Sequence, residues 1–235
     1  MLFRNTLYIA FLDLIIFFPI TIIIALLLNE LRKEMFKRFV QTMVYVPHFL
    51  SWVVVVGISY ILLTTESGII NEFISWLGGD KIPFLMSEDW FRPLIIIQMI
   101  WKDAGWGTII FLAALAGVDS QLYEAARIDG ANRWRLLWHI TLPSIRSVIV
   151  ISSIRSVIVI LLILRLGNFL DLGFEQIFLM LNAMNREVGE VFDTYVYQVG
   201  IRQGQFSYSA AVGLFKSIVG FILVIGANSI SKEIW

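Results

Sequence analysis

Several residues in this chain have the types and spacing to do chemistry. Asp171 and Glu175 lie four apart, which would put two carboxylates on one helix face as an acid/base pair, although Gly167 and Gly173 interrupt the helix this needs. Asp13, Asp103 and Lys216 stand inside otherwise apolar runs and could relay protons. Lys102 and Asp103 lie between Trp101 and Trp106, and Asn168, Asp171 and Glu175 follow a fourth apolar run. Polar residues in apolar runs are costly, so they either line a cavity or tie helices together. Trp101, Trp106, Asn168, Asp171 and Glu175 are therefore the candidate cavity residues, against the plainer roles of helix packing and tryptophan at a membrane boundary. Cysteine is absent and the two histidines, His48 and His139, are far apart, so neither a thiolate nor a histidine metal centre is expected. No G-x-x-x-x-G-K-[ST] loop occurs, so the chain has no visible cradle for a nucleotide.

The elements that carry these residues are membrane spans. Of 235 residues, 58% are hydrophobic and only 15% are charged, more apolar matter than one globular core can hide. Eighteen basic residues balance eighteen acidic ones, which leaves no electrostatic footprint for nucleic acid. Five stretches, 6–28, 40–63, 93–116, 147–167 and 210–230, can cross a hydrocarbon layer, and none alternates like a barrel strand. The expected class is all-α, a single polytopic transmembrane domain over 1–235.

Charge placement orients it. Arg32, Lys33, Lys37 and Arg38 follow the first span; Arg127, Arg133, Arg135 and Arg146 follow the third; both loops belong in the cytoplasm. The intervening loops, 64–92 and 168–209, are acidic and belong outside, and the C-terminus is cytoplasmic. Tyr195, Tyr197, Arg202, Gln203 and Gln205 make the second outer loop suited to docking a partner. Met1 then falls outside with no signal peptide to carry it, so a further span is expected to precede it.

The most ordered polar stretch is the loop 119–143, containing "EAARIDGANRWRLLWHITLP". Glu124, Ala125 and Ala126 open a helix-forming run, Gly130 supplies a stop, and helical periodicity resumes until Pro143. Trp134, Leu137 and Trp138 form an apolar stripe opposite Arg133 and Arg135. Such a hairpin is too short and polar to span; it suits the cytoplasmic surface, as an anchor on lipid headgroups or as a rigid face for a soluble partner.

The spacing Glu-Ala-Ala, three residues, Gly130, nine residues, Ile140, one residue, Leu142, Pro143 resembles the signature loop of binding-protein-dependent ABC transporter permeases. "VPHFLSWVVV", "WFRPLIIIQMIWKDAGWGTIIFLAALAGVD", "GFEQIFLMLN" and "YSAAVGLFKSIVG" resemble the sugar branch that serves oligosaccharides and polysaccharides. The resemblance implies a non-catalytic subunit in a bacterial cytoplasmic membrane, importing a saccharide delivered by an external solute-binding protein. It also implies a second, homologous permease subunit and cytoplasmic ATPase subunits. ATP and magnesium would reside in those ATPases, with no cofactor on this chain. Glu124, Ala125, Ala126, Gly130, Arg133, Trp134, Leu142 and Pro143 would then form the ATPase-coupling surface. A membrane-embedded glycosyl or acyl transferase and an ion-coupled secondary transporter are the alternatives.

One feature departs from that pattern. "SIRSVIVI" occurs at 144–151 and again at 153–160, and a nine-residue insertion would turn the following helix by about half a turn. The second copy also places Arg155 in an apolar run. The expectation is an error in the recorded sequence.

Overall fold

The computed structural model describes residues 1–31, 33–117, 120–141 and 173–233, and among these every regular element is helical. α1 (Leu2–Leu12) and α2 (Phe18–Asn29) form one rod joined by a π-helical turn, Asp13–Phe17. Pro19 explains the turn: it has no N–H to return to the carbonyl four residues back, so the ladder widens before α2 begins.

The expected span 40–63 is not one helix. α3 (Glu34–Tyr45) tightens into a 3₁₀ turn, Val46–Phe49, and α4 (Trp52–Leu63) departs at 102°. Pro47 removes a ladder donor, Leu50 is extended, and Ser51 restarts the helix, its hydroxyl oxygen accepting from the Val54 amide at 3.4 Å.

After the short α5 (Ile69–Trp76) comes α6 (Glu88–Ala116), the 29-residue central helix, with Pro93 in its second turn. α7 (Ser120–Ile128) and α8 (Arg133–Leu136) form the polar hairpin, and a π turn, Leu137–Thr141, follows. The outer segment holds α9 (Phe174–Met180), α10 (Arg186–Gly189), α11 (Phe192–Val196) and a π turn, Tyr197–Arg202. α12 (Phe206–Glu233) closes the described chain.

Three stretches are long and apolar enough to cross a membrane, Leu2–Asn29, Glu88–Ala113 and Phe206–Gly226, or four if the bent α3–α4 pair is one span. The span expected at 147–167, the repeat at 144–160, and the candidates Leu142, Pro143, Asn168 and Asp171 lie outside the described residues.

α6 is gripped from two sides by helices that touch its backbone. A Cβ on Gly105 would lie 2.0 Å from the Val44 carbonyl oxygen of α3, and one on Gly107 would lie 2.8 Å from Thr21 of α2. Small residues allow this approach where lipid supplies no hydrophobic drive between helices.

Residues 173–202 form a packed unit with α1 and α6, where a loop outside the membrane over 168–209 was expected. Ile9, Phe91, Ile95, Ile177, Met180 and Val191 share one core. Buried asparagines tie the irregular backbone around it. The Asn5 amide donates to the carbonyls of Glu187 (2.8 Å) and Glu190 (3.1 Å) and its oxygen accepts from Arg92 (3.1 Å). Asn71 donates to the carbonyls of Leu63, Thr64 and Ile82 and accepts from the Ile82 amide at 2.8 Å. Asn71→Leu fills the same space but takes the partner from the Leu63 carbonyl and the Ile82 amide, at about 2 kcal/mol. The expected result is a fall of several degrees in the unfolding midpoint of the purified protein; an unchanged midpoint would show that Asn71 does not lock α5 to α4.

Candidate functional site

The bend at residues 46–51 meets α6 near its middle. Asp103 lies ~22 Å along α6 from Glu88 and ~20 Å from Ala116, at 1.5 Å per residue, so the meeting point is at mid-membrane depth. There the His48 Nδ1 is 2.9 Å from an Asp103 carboxylate oxygen. Lys102 Nζ donates to the His48 carbonyl at 2.8 Å and stands 3.5 Å from the same Asp103 oxygen. The His48 ring stacks on Trp106, centroids 4.6 Å apart and planes 8° from parallel, and Phe49 meets both rings edge-on. The Lys102 ammonium lies 5.3 Å from the Trp52 ring centroid.

This arrangement accounts for two charges in an apolar run. Lys102 is buried, and its charge is met by Asp103 and by a carbonyl in the non-helical turn. The side chains of His48 and Asp103 are 30% and 32% exposed, so they face open space. Broken helices at mid-membrane are where transporters place polar substrate groups. The cluster offers a carboxylate, an imidazole and an indole face.

Trp106 belongs to this cluster, whereas Trp101 does not. Five residues apart, the two indoles project about 140° from each other. Trp101 instead lines an apolar groove of about 470 Å³ between α4, α5 and α6, together with Trp90 and Ile97. Glu175 is exposed in the first turn of α9, and its neighbour Gln176 is the residue that turns inward. The Gln176 amide donates to the Ile95 carbonyl (2.8 Å) and to Gln98 (2.9 Å), whose own amide donates to Ser59 (2.7 Å). This buried chain links α4, α6 and α9. Lys216 pairs with Asp193 of α11.

His48 was not among the expected cavity residues. The available signal was Pro47 in the middle of an apolar run, with a histidine directly after it.

At the other end of α6, the hairpin forms as its glycine requires. Gly130 has φ +78° and ends α7 with two bonds, its own amide to the Arg127 carbonyl (3.1 Å) and the Ala131 amide to the Ala126 carbonyl (2.9 Å). Asn132 caps α8, its side-chain oxygen accepting from the Arg135 amide at 2.9 Å. The Tyr123 hydroxyl donates to Thr141 at 3.1 Å and closes the hairpin. Glu124, Ala125 and Arg133 are exposed and Ala126 is half-buried.

The expected stripe of Trp134, Leu137 and Trp138 changes in detail. α8 ends at Leu136, which is the buried residue, while Trp134 and Trp138 are 68% and 62% exposed. With Ile128 at 87%, the hairpin presents a large uncovered apolar surface.

The outer-loop aromatics are engaged with each other. Tyr197 packs on Phe174 and Phe178. The Tyr195 hydroxyl is held above the ordinary tyrosine pKa first by its hydrogen bond with Tyr208, then by the charge of that phenol, by desolvation and by Glu190.

The chain is 59% identical to the polygalacturonan/rhamnogalacturonan transport system permease protein YteP of Bacillus subtilis (strain 168), over 99% of this chain and 70% of that protein. It is 58% identical to Protein LplB of the same organism, over 99% and 70%. Its fold matches the crystal structure of a bacterial ABC transporter involved in the import of the acidic polysaccharide alginate, with a TM-score of 0.90, 38% identity and coverage of 98% of this chain and 78% of that one. The crystal structure of a bacterial alginate ABC transporter in complex with an alginate pentasaccharide-bound periplasmic protein matches with a TM-score of 0.89 at 38% identity, over 98% of this chain and 77% of that one. The model of the binding-protein-dependent transport system inner membrane component matches residues 18–234, and the chain belongs to that family of membrane transport permeases.

Proposed function

We propose that this chain is the transmembrane subunit of an ATP-driven importer that moves an oligosaccharide, delivered by an external solute-binding protein, across a bacterial cytoplasmic membrane. The observation that carries this reading is the mid-membrane break, where His48, Asp103 and Trp106 form a partly exposed polar and aromatic cluster. Asp103 accepts sugar hydroxyls, and the indole of Trp106 takes the apolar face of a ring. The relatives named for polygalacturonan/rhamnogalacturonan and alginate support an acidic, polysaccharide-derived substrate.

The hairpin is the mechanical link. Its exposed tryptophans and Glu124 seat on a cytoplasmic ATPase subunit, which holds ATP and magnesium, and closure of the ATPase pair swings the spans between outward-facing and inward-facing states. Arg133 adds contact with the ATPase or with anionic lipid headgroups. This topology keeps the C-terminus in the cytoplasm. The span Phe206–Gly226 leaves most of its large apolar side chains exposed, among them Leu214, Ile218, Phe221 and Ile222, and this face is left for lipid and for a second permease subunit.

The test is uptake of labelled oligogalacturonate by vesicles holding the complete transporter, with ATP inside and the binding protein outside. Wild type concentrates the sugar. Asp103→Asn keeps the shape and removes the charge-assisted acceptor, and uptake falls about tenfold or more with assembly unchanged. Normal uptake by Asp103→Asn would remove Asp103 from the site. Uptake that ignores ATP and the binding protein would overturn the importer reading.

A further inference from the structure

Helix α3 is amphipathic, yet none of its residues is buried by this chain. Val44 meets Gly105 of α6, and Lys37, Val40 and Gln41, which share that side of the helix, are half-buried. At 100° per residue, Phe39 and Met43 project about 140° and 100° away from Val44. On that other side Met35, Phe36, Phe39 and Met43 are 87%, 52%, 58% and 57% exposed. Four large apolar side chains in one continuous stripe mark an interaction surface, unlike apolar residues scattered singly.

Depth and charge decide what covers the stripe. Val44 lies against the middle of α6, and at 1.5 Å per residue the chain runs back ~16 Å from there to Lys33. That is about half of a ~30 Å hydrocarbon layer, so the stripe occupies one leaflet and the start of α3 reaches its headgroups. Residues 30–38 hold four bases against two carboxylates. Lys33 and Arg38 are exposed, and neither they nor Lys37 make an ion pair among the described residues. The cytoplasmic leaflet carries anionic phospholipid, whose charge is opposite to theirs. An apolar stripe one leaflet deep, with bases at headgroup level, matches such a lipid from phosphate to acyl chain.

We propose that α3 is a binding site for anionic phospholipid of the cytoplasmic leaflet: Lys33, Lys37 and Arg38 hold the headgroup phosphate, and an acyl chain lies along Met35, Phe39 and Met43. The proposal takes its orientation from the importer reading above and adds a lipid ligand. That ligand acts on transport through the backbone. α3 runs directly into the 3₁₀ turn that carries His48, so lipid that fixes α3 against α6 also holds His48 beside Asp103 and Trp106. Anionic lipid therefore raises the fraction of transporter in which the mid-membrane cluster is assembled.

The experiment compares the complete transporter in vesicles of phosphatidylcholine alone and with about 30% phosphatidylglycerol. ATP-driven uptake with the binding protein rises about threefold or more in the anionic vesicles. Lys33→Gln with Lys37→Gln and Arg38→Gln removes that rise and leaves uptake in phosphatidylcholine at the wild-type rate. Phe39→Trp reports the site itself, by the fluorescence it adds to the otherwise identical transporter. Brominated phosphatidylglycerol quenches that added signal about twofold more than the same fraction of brominated phosphatidylcholine, and replacing the three bases removes the preference. Uptake indifferent to phosphatidylglycerol would overturn the proposal, and so would equal quenching by the two lipids. An introduced indole that neither lipid quenches would give the stripe to the second permease subunit. One that responds to oligogalacturonate inside the vesicle would give the bases to the departing sugar, and either result overturns the lipid site. Wild-type uptake that needs neither ATP nor the binding protein would sink the importer reading instead, and the quenching preference is measured independently of it.

Discussion

Gly105→Val is expected to abolish the transport-competent protein. Valine's Cβ would lie 2.0 Å from the Val44 carbonyl oxygen and 2.7 Å from the Val44 carbonyl carbon, and backbone cannot rotate aside as a flexible side chain can. Either α3 leaves α6 or the pair fails to form. The 3₁₀ turn continues directly from α3, so displacing α3 also carries His48 away from Trp106 and Asp103. Lys102 then loses the His48 carbonyl that helps hold its charge in the membrane. Overpacking alone costs about 1–3 kcal/mol, and the stranded charge adds to it. The measurement is the yield of monodisperse protein together with ATP-driven uptake in vesicles, both expected near background. Wild-type yield and uptake would mean that the close approach of α3 and α6 is dispensable.

Gly130→Pro is expected to separate insertion from coupling. The native φ of +78° is closed to proline, whose ring holds φ near −65°, and the substitution also removes the amide that bonds to the Arg127 carbonyl. The turn between α7 and α8 must reorganise, which re-aims Trp134 and Arg133 relative to Glu124. The lesion sits in a short surface hairpin, so the protein still inserts and purifies. Recovery of the ATPase subunit falls about tenfold or more, and ATP-driven uptake is lost. Glu124→Lys gives the same pattern through reversed charge at an unchanged turn. Gly130→Asn retains much of the activity, because asparagine tolerates the left-handed conformation. Full coupling in both Gly130→Pro and Glu124→Lys would remove the hairpin from the ATPase interface.

Part of this site was legible in the residues because the responsible forces are local. Gly130 ends α7 as its position implied, since a left-handed helix end is a property of a few consecutive residues. Trp106 and Asp103 were marked as costly or functional by standing in an apolar run, and the mid-membrane cluster contains both. Trp134 and Trp138 of the expected stripe are exposed, and Leu136, outside it, is the buried residue of α8.

The outer segment shows the opposite case. Residues 168–209 read as a polar and aromatic loop outside the membrane from their composition along the chain. Folded, Gln176 and Asn185 are each 1% exposed, bonded to backbone of α6, of Leu85 and of Met180. Their partners lie up to a hundred residues away, so no window of sequence contains the reason they are buried.

By itself the sequence determined the membrane class, the helix-stopping hairpin and the resemblance that its spacing carries, because hydropathy and turn chemistry act over one helix length. Tertiary structure alone decided that the second span breaks at mid-membrane beside Asp103, that Trp101 and Trp106 serve different spaces, and that a polar outer segment becomes core. Those outcomes depend on which helix surfaces meet, and a meeting such as that of Gly105 with Val44 is a property of two distant segments, written in neither one.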